Sequence, residues 1–193
     1  MTQPLSSKER QFLLSFARKT IEHAARGESS SEPAESDMTA RLWAPGAAFV
    51  TLHTRAGDLR GCIGSLVAHR ALIDDVRANA LAAAFEDPRF SPVTLREMPD
   101  LVVEISVLTA PEPLVYQGPE DLVCKLRPGI DGVILERGWN RATFLPQVWE
   151  QLPEPEEFLA HLCYKAGLSP NTWRSHDLKV SIYQVEEFHE ETL

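Results

Sequence analysis

Cysteine is scarce in this chain: Cys62, Cys124 and Cys163 are the three present among 193 residues. They are odd in number and far apart. Neither a CxxC pair nor the Cys/His spacing of a structural zinc site occurs, which argues against a disulfide framework and predicts free thiols in a reducing compartment. A three-cysteine cluster motif and a His-rich metal triad are likewise missing, so the residues imply no cofactor and no metal site. Basic residues are outnumbered, 19 Lys plus Arg against 28 Asp plus Glu, and the net charge of −9 disfavours a phosphate-backbone binder. No basic patch interleaved with aromatics points to nucleic acid. No apolar run approaches bilayer length and the N-terminus shows no basic stretch followed by an apolar one, so a cytoplasmic protein with no membrane partner is expected. What the chain does have is core material: 44% hydrophobic residues suffice for one compact domain, or one with a small appended lobe.

Ser6 and Glu9 form a capping box ahead of RQFLLSFARKTIEHAARG, in which Leu13, Phe16, Ala17, Ile21 and Ala24 keep helical spacing and Gly27 marks the stop. Residues 28–46 are polar and rich in Ser, Glu and Pro, and read as a long connection or mobile loop. AAFVTLHT and LRGCIGSL flank RAGD and predict a hairpin with Ala56 and Gly57 at its tip. Facing Arg55 with Asp58 pairs His53 with Arg60, Thr51 with Cys62 and Phe49 with Gly64. Period two then places these on one, more polar face and Val50, Leu52, Leu59, Gly61 and Ile63 on the core face.

HRALIDDVRANALAAAFED predicts the next helix, with Leu72, Val76, Ala80 and Ala83 on one stripe and Pro88 ending it. Thr94 and Glu97 suggest a capped turn before the strand DLVVEISVL, where a mid-strand Glu104 must face water or find a partner. GIDGVILE, the turn RGWN and RATFLP make a second hairpin, and QVWEQL a short helix or turn. A helix follows over EEFLAHLCYKAGL, and DLKVSIYQVEEF closes the chain as one strand. Hairpin-paired strands interrupted by helices, without a regular βαβ repeat, indicate an α+β fold with a mainly antiparallel sheet flanked by helices.

The candidate site starts from the two glycines in LRGCIGSL, because glycine inside a strand marks a bulge or a close approach to the backbone. Gly61 and Gly64 would open backbone N–H groups to a ligand, and Arg60 beside Cys62 would favour the thiolate. Cys62 then reads as a nucleophile, a metal ligand or a buried small hydrophobe. Arg89 either clamps an anionic ligand or pairs with Glu86, Asp87 or Glu104, and Glu104 is either an acid/base group or that partner. The stretch from Arg55 to Glu97 balances six basic against six acidic residues, which leaves room for a local anion site. The acid excess at EPEE and EEFHEE reads as solvated surface. Cys163 lies on an apolar helical stripe and reads as core.

LRGCIGSL, AAAFEDPRFSP, VEISVL, GIDGVIL, TFLPQVW and YKAGL together resemble the AMMECR-type domain family, whose bacterial form is the AmmeMemoRadiSam system protein A type. The match runs from about Phe49 to Phe188, with the first helix included, so the whole of residues 1–193 reads as one such domain. The resemblance implies a larger lobe built from both chain ends and a smaller middle lobe, and the company of a Memo-like protein and a radical SAM protein. It implies no reaction. The family pattern falls on Leu59, Arg60, Gly61, Cys62, Ile63 and Gly64, on Asp87, Pro88, Arg89 and Phe90, on Glu104 and Ser106, on Gly132, on Phe144, Leu145, Pro146 and Gln147, and on Lys165 and Gly167. His53 is outside that pattern, which weighs against a Cys/His dyad. Lys165 sits where it would also serve its helix dipole.

Two functions compete. One is binding of a small anionic or peptide-like ligand in a cleft at LRGCIGSL, lined by Arg60, Cys62, Arg89 and Glu104, with Lys165 as a further candidate and a Cys62-dependent enzyme as its catalytic variant. The other is a non-catalytic adaptor that uses the same strand as a docking edge.

Overall fold

The structure is a computed structural model and describes residues 4–29, 32–175 and 177–191. In chain order the elements are α1 (Ser7–Ala25), α2 (Ala40–Trp43), β1 (Pro45–Thr54), β2 (Leu59–Gly64), β3 (Arg70–Ala71), α3 (Leu72–Phe85), β4 (Leu101–Leu108), β5 (Glu112–Pro113), α4 (Pro119–Lys125), β6 (Gly132–Arg137), β7 (Asn140–Phe144), α5 (Pro155–Lys165), β8 (Lys179–Tyr183) and β9 (Val185–His189). Helices accompany antiparallel pairs throughout the registered strands, which is the expected α+β architecture. The chain divides into a unit of Met1–Leu108 with Glu186–Leu193 and a unit of Thr109–Val185. The larger therefore joins both chain ends, and the smaller is the middle of the sequence.

In the larger unit the strands run in the order β2-β1-β4-β9, with β3 also paired to β1. Val50 and Leu52 of β1 and Val103, Ile105 and Val107 of β4 are buried against α1 and α3. Thr51 and Ser106 point to the opposite face and are themselves largely buried. The α1 capping box forms as the sequence predicts: Ser6 Oγ accepts the Glu9 N–H, and the Glu9 carboxylate accepts the Ser6 N–H at 2.8 Å. The acidic C-terminal stretch does more than face solvent. Glu186 accepts the Leu5 N–H and pairs with Arg10, while Glu190 accepts Arg18 Nε at 2.6 Å and the Val103 N–H at 2.9 Å, which ties α1 and β4 to the end of the chain.

Three further expectations need correction. The 28–46 connection contains α2, whose Thr39 side chain accepts the Leu42 N–H. The hairpin register holds at Thr51–Cys62 and Phe49–Gly64, but a bulge between Leu52 and His53 pairs His53 with Leu59 and leaves Arg60 as the extra residue. Leu59 therefore moves off the core face and is 39% exposed. The last predicted strand is two strands in two sheets. Gln184 breaks it: its N–H donates to Thr109 Oγ1 at 2.9 Å, its carbonyl accepts the Thr109 N–H, and Nε2 reaches Asp131 Oδ1 at 3.1 Å.

The middle unit has the strand order β5-β8-β6-β7. Its core gathers Val133, Leu135 and Val180 from the sheet with Phe158, Leu162 and Cys163 from α5. Trp149 stacks on Phe158 with ring centroids 3.7 Å apart, and its indole N–H is satisfied by the Asp131 carbonyl at 2.7 Å. Cys163 is fully buried, as its place on the apolar stripe predicts. Helix α4 went unread, although Pro119 at its start, Glu120 and Asp121 in its first turn and Lys125 in its last are helix signals.

Gly61 marks the crossing of α3 over β2. A Cβ at that position would run into the Ala83 carbonyl oxygen, a backbone atom near the C-terminus of α3 that cannot move independently of its helix. Gly61→Ala is expected to destabilise the protein by about 3 kcal/mol, read as a lowered urea midpoint. A midpoint within experimental error of the parent protein would contradict this packing.

Candidate functional site

Strand β2 is the edge of its sheet, and its outward backbone groups at Cys62 are already occupied. The Cys62 N–H donates to Asp87 Oδ2 at 2.9 Å, and its carbonyl lies 3.4 Å from Arg89 Nη2. Asp87 and Arg89 are joined in turn by two hydrogen bonds, from Arg89 Nε at 2.9 Å and Nη2 at 2.7 Å. The turn after α3 thus stands in for a neighbouring strand. Asp87 is 4% exposed, and the hydrogen bond from Arg89, followed by the N–H groups of Cys62 and Arg89, holds its carboxyl well below the usual carboxylate range despite burial. Arg89 keeps its proton more tightly for the same reason, with the Cys62 sulfur adding to the effect.

A second buried carboxylate secures the other end of α3. Asp75 accepts the Ala48 N–H at 2.9 Å, Ser65 Oγ at 2.7 Å, Arg70 Nε at 3.1 Å and Asn79 Nδ2 at 3.0 Å. All four acceptor directions of that carboxylate are used, which is what makes its burial tolerable. Asp75 and Asp87 together hold β1 and β2 under the helix from both ends.

The predicted site residues separate accordingly. Gly61 faces the Ala83 carbonyl, and Gly64 is overlain by the Phe49 ring, so the space beside both glycines is filled from within the fold. Arg60, re-aimed by the bulge, donates Nε to Glu97 Oε1 at 2.9 Å and lies over Phe90, whose ring Arg89 also approaches. Lys165 belongs to the middle unit, where its ammonium donates to the Thr143 carbonyl at 3.0 Å and sits 5.0 Å from the Phe144 ring. Cys62 is half-buried, and its sulfur accepts the Thr51 hydroxyl at 3.3 Å.

Cys62 and Glu104 do come together with Thr51, in a way the motif alone conceals. Thr51 pairs with Cys62 on one side and with Glu104 on the other, so the three side chains form a row across three strands on the face away from the helices. Phe49 pairs with Gly64 and Ser106, a second row beside the first. Glu104 stands 3.8 Å from His53 Nε2, and alternation with the buried Phe188 places Glu187 and His189 of β9 on the same face. Burial, then the charge of Glu187, pushes the Glu104 carboxyl up, while His53 and His189 pull the other way. Thr51, Ser106 and Asp87 escaped sequence reasoning as site residues, although Asp87 and Ser106 lie in the motifs DPRF and VEISVL. Only the β1–β4 register identifies Thr51. Among the described residues no group of three His, Cys, Asp or Glu side chains could hold a metal ion, and no helix is long and apolar enough to cross a membrane.

The AMMECR1 family model matches residues 14–188. A protein from Methanothermobacter thermautotrophicus is 42% identical over 189 residues, covering 97% of each chain. A second relative, protein MJ0810 from Methanocaldococcus jannaschii, is 44% identical over 144 residues, or 74% of this chain and 72% of the other. Among solved structures, the crystal structure of uncharacterized protein PH0010 from Pyrococcus horikoshii superposes with a TM-score of 0.84 at 39% identity, covering 97% of this chain and 94% of that one.

The Asp87 pairing has a defined pH signature. Its folded pKa is depressed, so its stabilisation is fully present above the unfolded value of about 3.9 and is lost as pH falls through the folded value. Asp87→Asn is expected to cost about 1–3 kcal/mol at neutral pH. Its stability curve should begin to approach that of the parent only below about pH 4 and meet it once the pH has fallen through the folded value; parallel curves would show that Asp87 is not the group responsible.

Proposed function

Because the chain belongs to the AMMECR1 family, we propose that it binds a small anionic or peptide-like ligand on the face of the larger unit's sheet opposite α1 and α3, along the row Cys62, Thr51 and Glu104. The observation that carries this reading is the row itself: three hydrogen-bonding side chains aligned across three strands, on the face opposite the helices. Ligand recognition moves from the backbone of LRGCIGSL to side chains on its far face, since Asp87 and Arg89 occupy the backbone groups of Cys62. Arg89 remains a ligand candidate at the end of the row through the part of its guanidinium that Asp87 does not use. Gly61 and Arg60 support the site by holding β2 against α3 and the loop after it, and Gly64 by seating the Phe49 ring.

The thiol of Cys62 meets a hydroxyl rather than an imidazole or a carboxylate among the described residues, which favours binding over nucleophilic activation. The AmmeMemoRadiSam-like motifs support joint action with a Memo-like protein and a radical SAM protein, and the three unpaired cysteines support a cytoplasmic setting.

Titration of isotope-labelled protein with short carboxylates and short peptides is expected to shift the amide resonances of Cys62, Thr51 and Glu104. Carboxamidomethylation of Cys62, in a Cys124→Ser background, should weaken that binding at least about tenfold, or 1.4 kcal/mol, because the added amide covers Thr51. Shifts confined to other surfaces, or binding indifferent to the alkylation, would overturn the reading.

A further inference from the structure

The sheet face opposite the helices carries opposite charges at its two ends. At one end Glu104 lies in line with Thr51, with His53 of β1 and Glu187 and His189 of β9 as the titratable groups around it. At the other end, past Cys62, Arg89 gives Nε and Nη2 to Asp87 while its Nη1 makes no hydrogen bond among the described residues, on a side chain 54% exposed. Beside Glu104 on the same strand is Ser106, a residue 3% exposed whose hydroxyl meets no hydrogen-bond partner among the described residues. That hydroxyl is not among the fully buried unpartnered atoms, so it reaches the surface and is free to meet a donor or acceptor there.

We infer that the ligand is a short peptide with both ends free, lying across the strands with its ammonium on Glu104, its carboxylate on Arg89 and its amide groups against Thr51 and Ser106. This rests on the ligand-binding reading of the same face. Length sets a lower bound: Cys62 and Glu104 are two inter-strand steps apart, roughly 9–10 Å, Arg89 lies beyond Cys62, and an extended chain of at least three residues, about 10 Å, is needed to cover the row. A single amino acid is too short to reach both ends. Charge selects its direction. A carboxylate with a second acid at its side repels an anion and gains from a cation, whereas a guanidinium with a spare N–H edge accepts a carboxylate. An ammonium arriving at Glu104 favours the ionised carboxyl, against the burial and the Glu187 charge that push it up. Thr51 already gives its proton to the Cys62 sulfur, which leaves its oxygen to accept a peptide N–H.

The test is a calorimetric titration of the full chain with triglycine, N-acetyl-triglycine, triglycine amide and the doubly capped peptide, paired with the amide resonances of Cys62 and Thr51. Free triglycine should bind tightest, with each cap weakening it at least about tenfold. Glu104→Gln should abolish the effect of the N-acetyl cap. Arg89→Gln strands the buried Asp87 and endangers folding, so triglycine amide against the unaltered protein reads that end without the variant. Free and capped peptides binding alike at Cys62 and Thr51 would overturn the two-ended peptide while the face remains a binding site. A small carboxylate that shifts those resonances where no peptide does would overturn it in the same way. No response to any peptide or carboxylate would overturn both the peptide and the binding face.

Discussion

The N–H of Cys62 points off the edge of its sheet, and the buried carboxylate of Asp87 receives it. An edge strand offers a row of unpaired backbone groups that water, another chain or the protein itself must satisfy. Here the turn following α3 does so, with Arg89 neutralising the carboxylate and reaching back towards the Cys62 carbonyl. The two motifs LRGCIG and DPRF are therefore two halves of one device. Because the helix before the turn crosses β2 at Gly61, the carboxylate can arrive only if that residue has no side chain. Packing and polar satisfaction thus demand each other: a residue larger than glycine would lift the helix, and a lifted helix would withdraw the carboxylate.

With its backbone closed and one face under the helices, β2 has one surface left, the face carrying Cys62. Register then decides the chemistry available there. Thr51 brings Cys62 and Glu104 into line, and the flanking row of Gly64, Phe49 and Ser106 gives that line an aromatic ring and an unpartnered hydroxyl as neighbours. The acidic group is raised by burial and by Glu187, while the guanidinium at the far end is anchored by Asp87. A sheet face with fixed charges at both ends and hydrogen-bonding side chains between them is preorganised for an extended, polar ligand. The middle unit has its own logic, built on Trp149 stacked over Phe158 and on Gln184, which sends the chain from one sheet to the other.

Much of this was legible in the sequence. Capping chemistry located α1, period two placed Val50 and Leu52 inside, and the pairing of Thr51 with Cys62 followed from the hairpin turn. What escaped was set by contacts distant in the chain. Alternation carries no mark for an extra residue, so the bulge that re-aims Arg60 towards Glu97 was invisible. DLKVSIYQVEEF contains no Gly or Pro to mark a break, and its division depends on Gln184 meeting Thr109 and Asp131, residues 75 and 53 positions away. The glycines of the motif announced a close approach to the backbone, but not that the approaching group was Ala83 of the protein's own helix. Glu104 was read as needing water or a partner, and only the neighbouring strands show that both acids and histidines surround it.

The central claim is that Asp87 closes the edge of β2 at Cys62. Hydrogen exchange at the Cys62 amide measures it without ligand or variant. The structure predicts protection comparable to that of interior amides of β1 such as Val50, although Cys62 lies on an edge strand. Exchange at the rate of an unprotected chain would mean that the carboxylate does not hold that N–H, and that the backbone of the motif stays open.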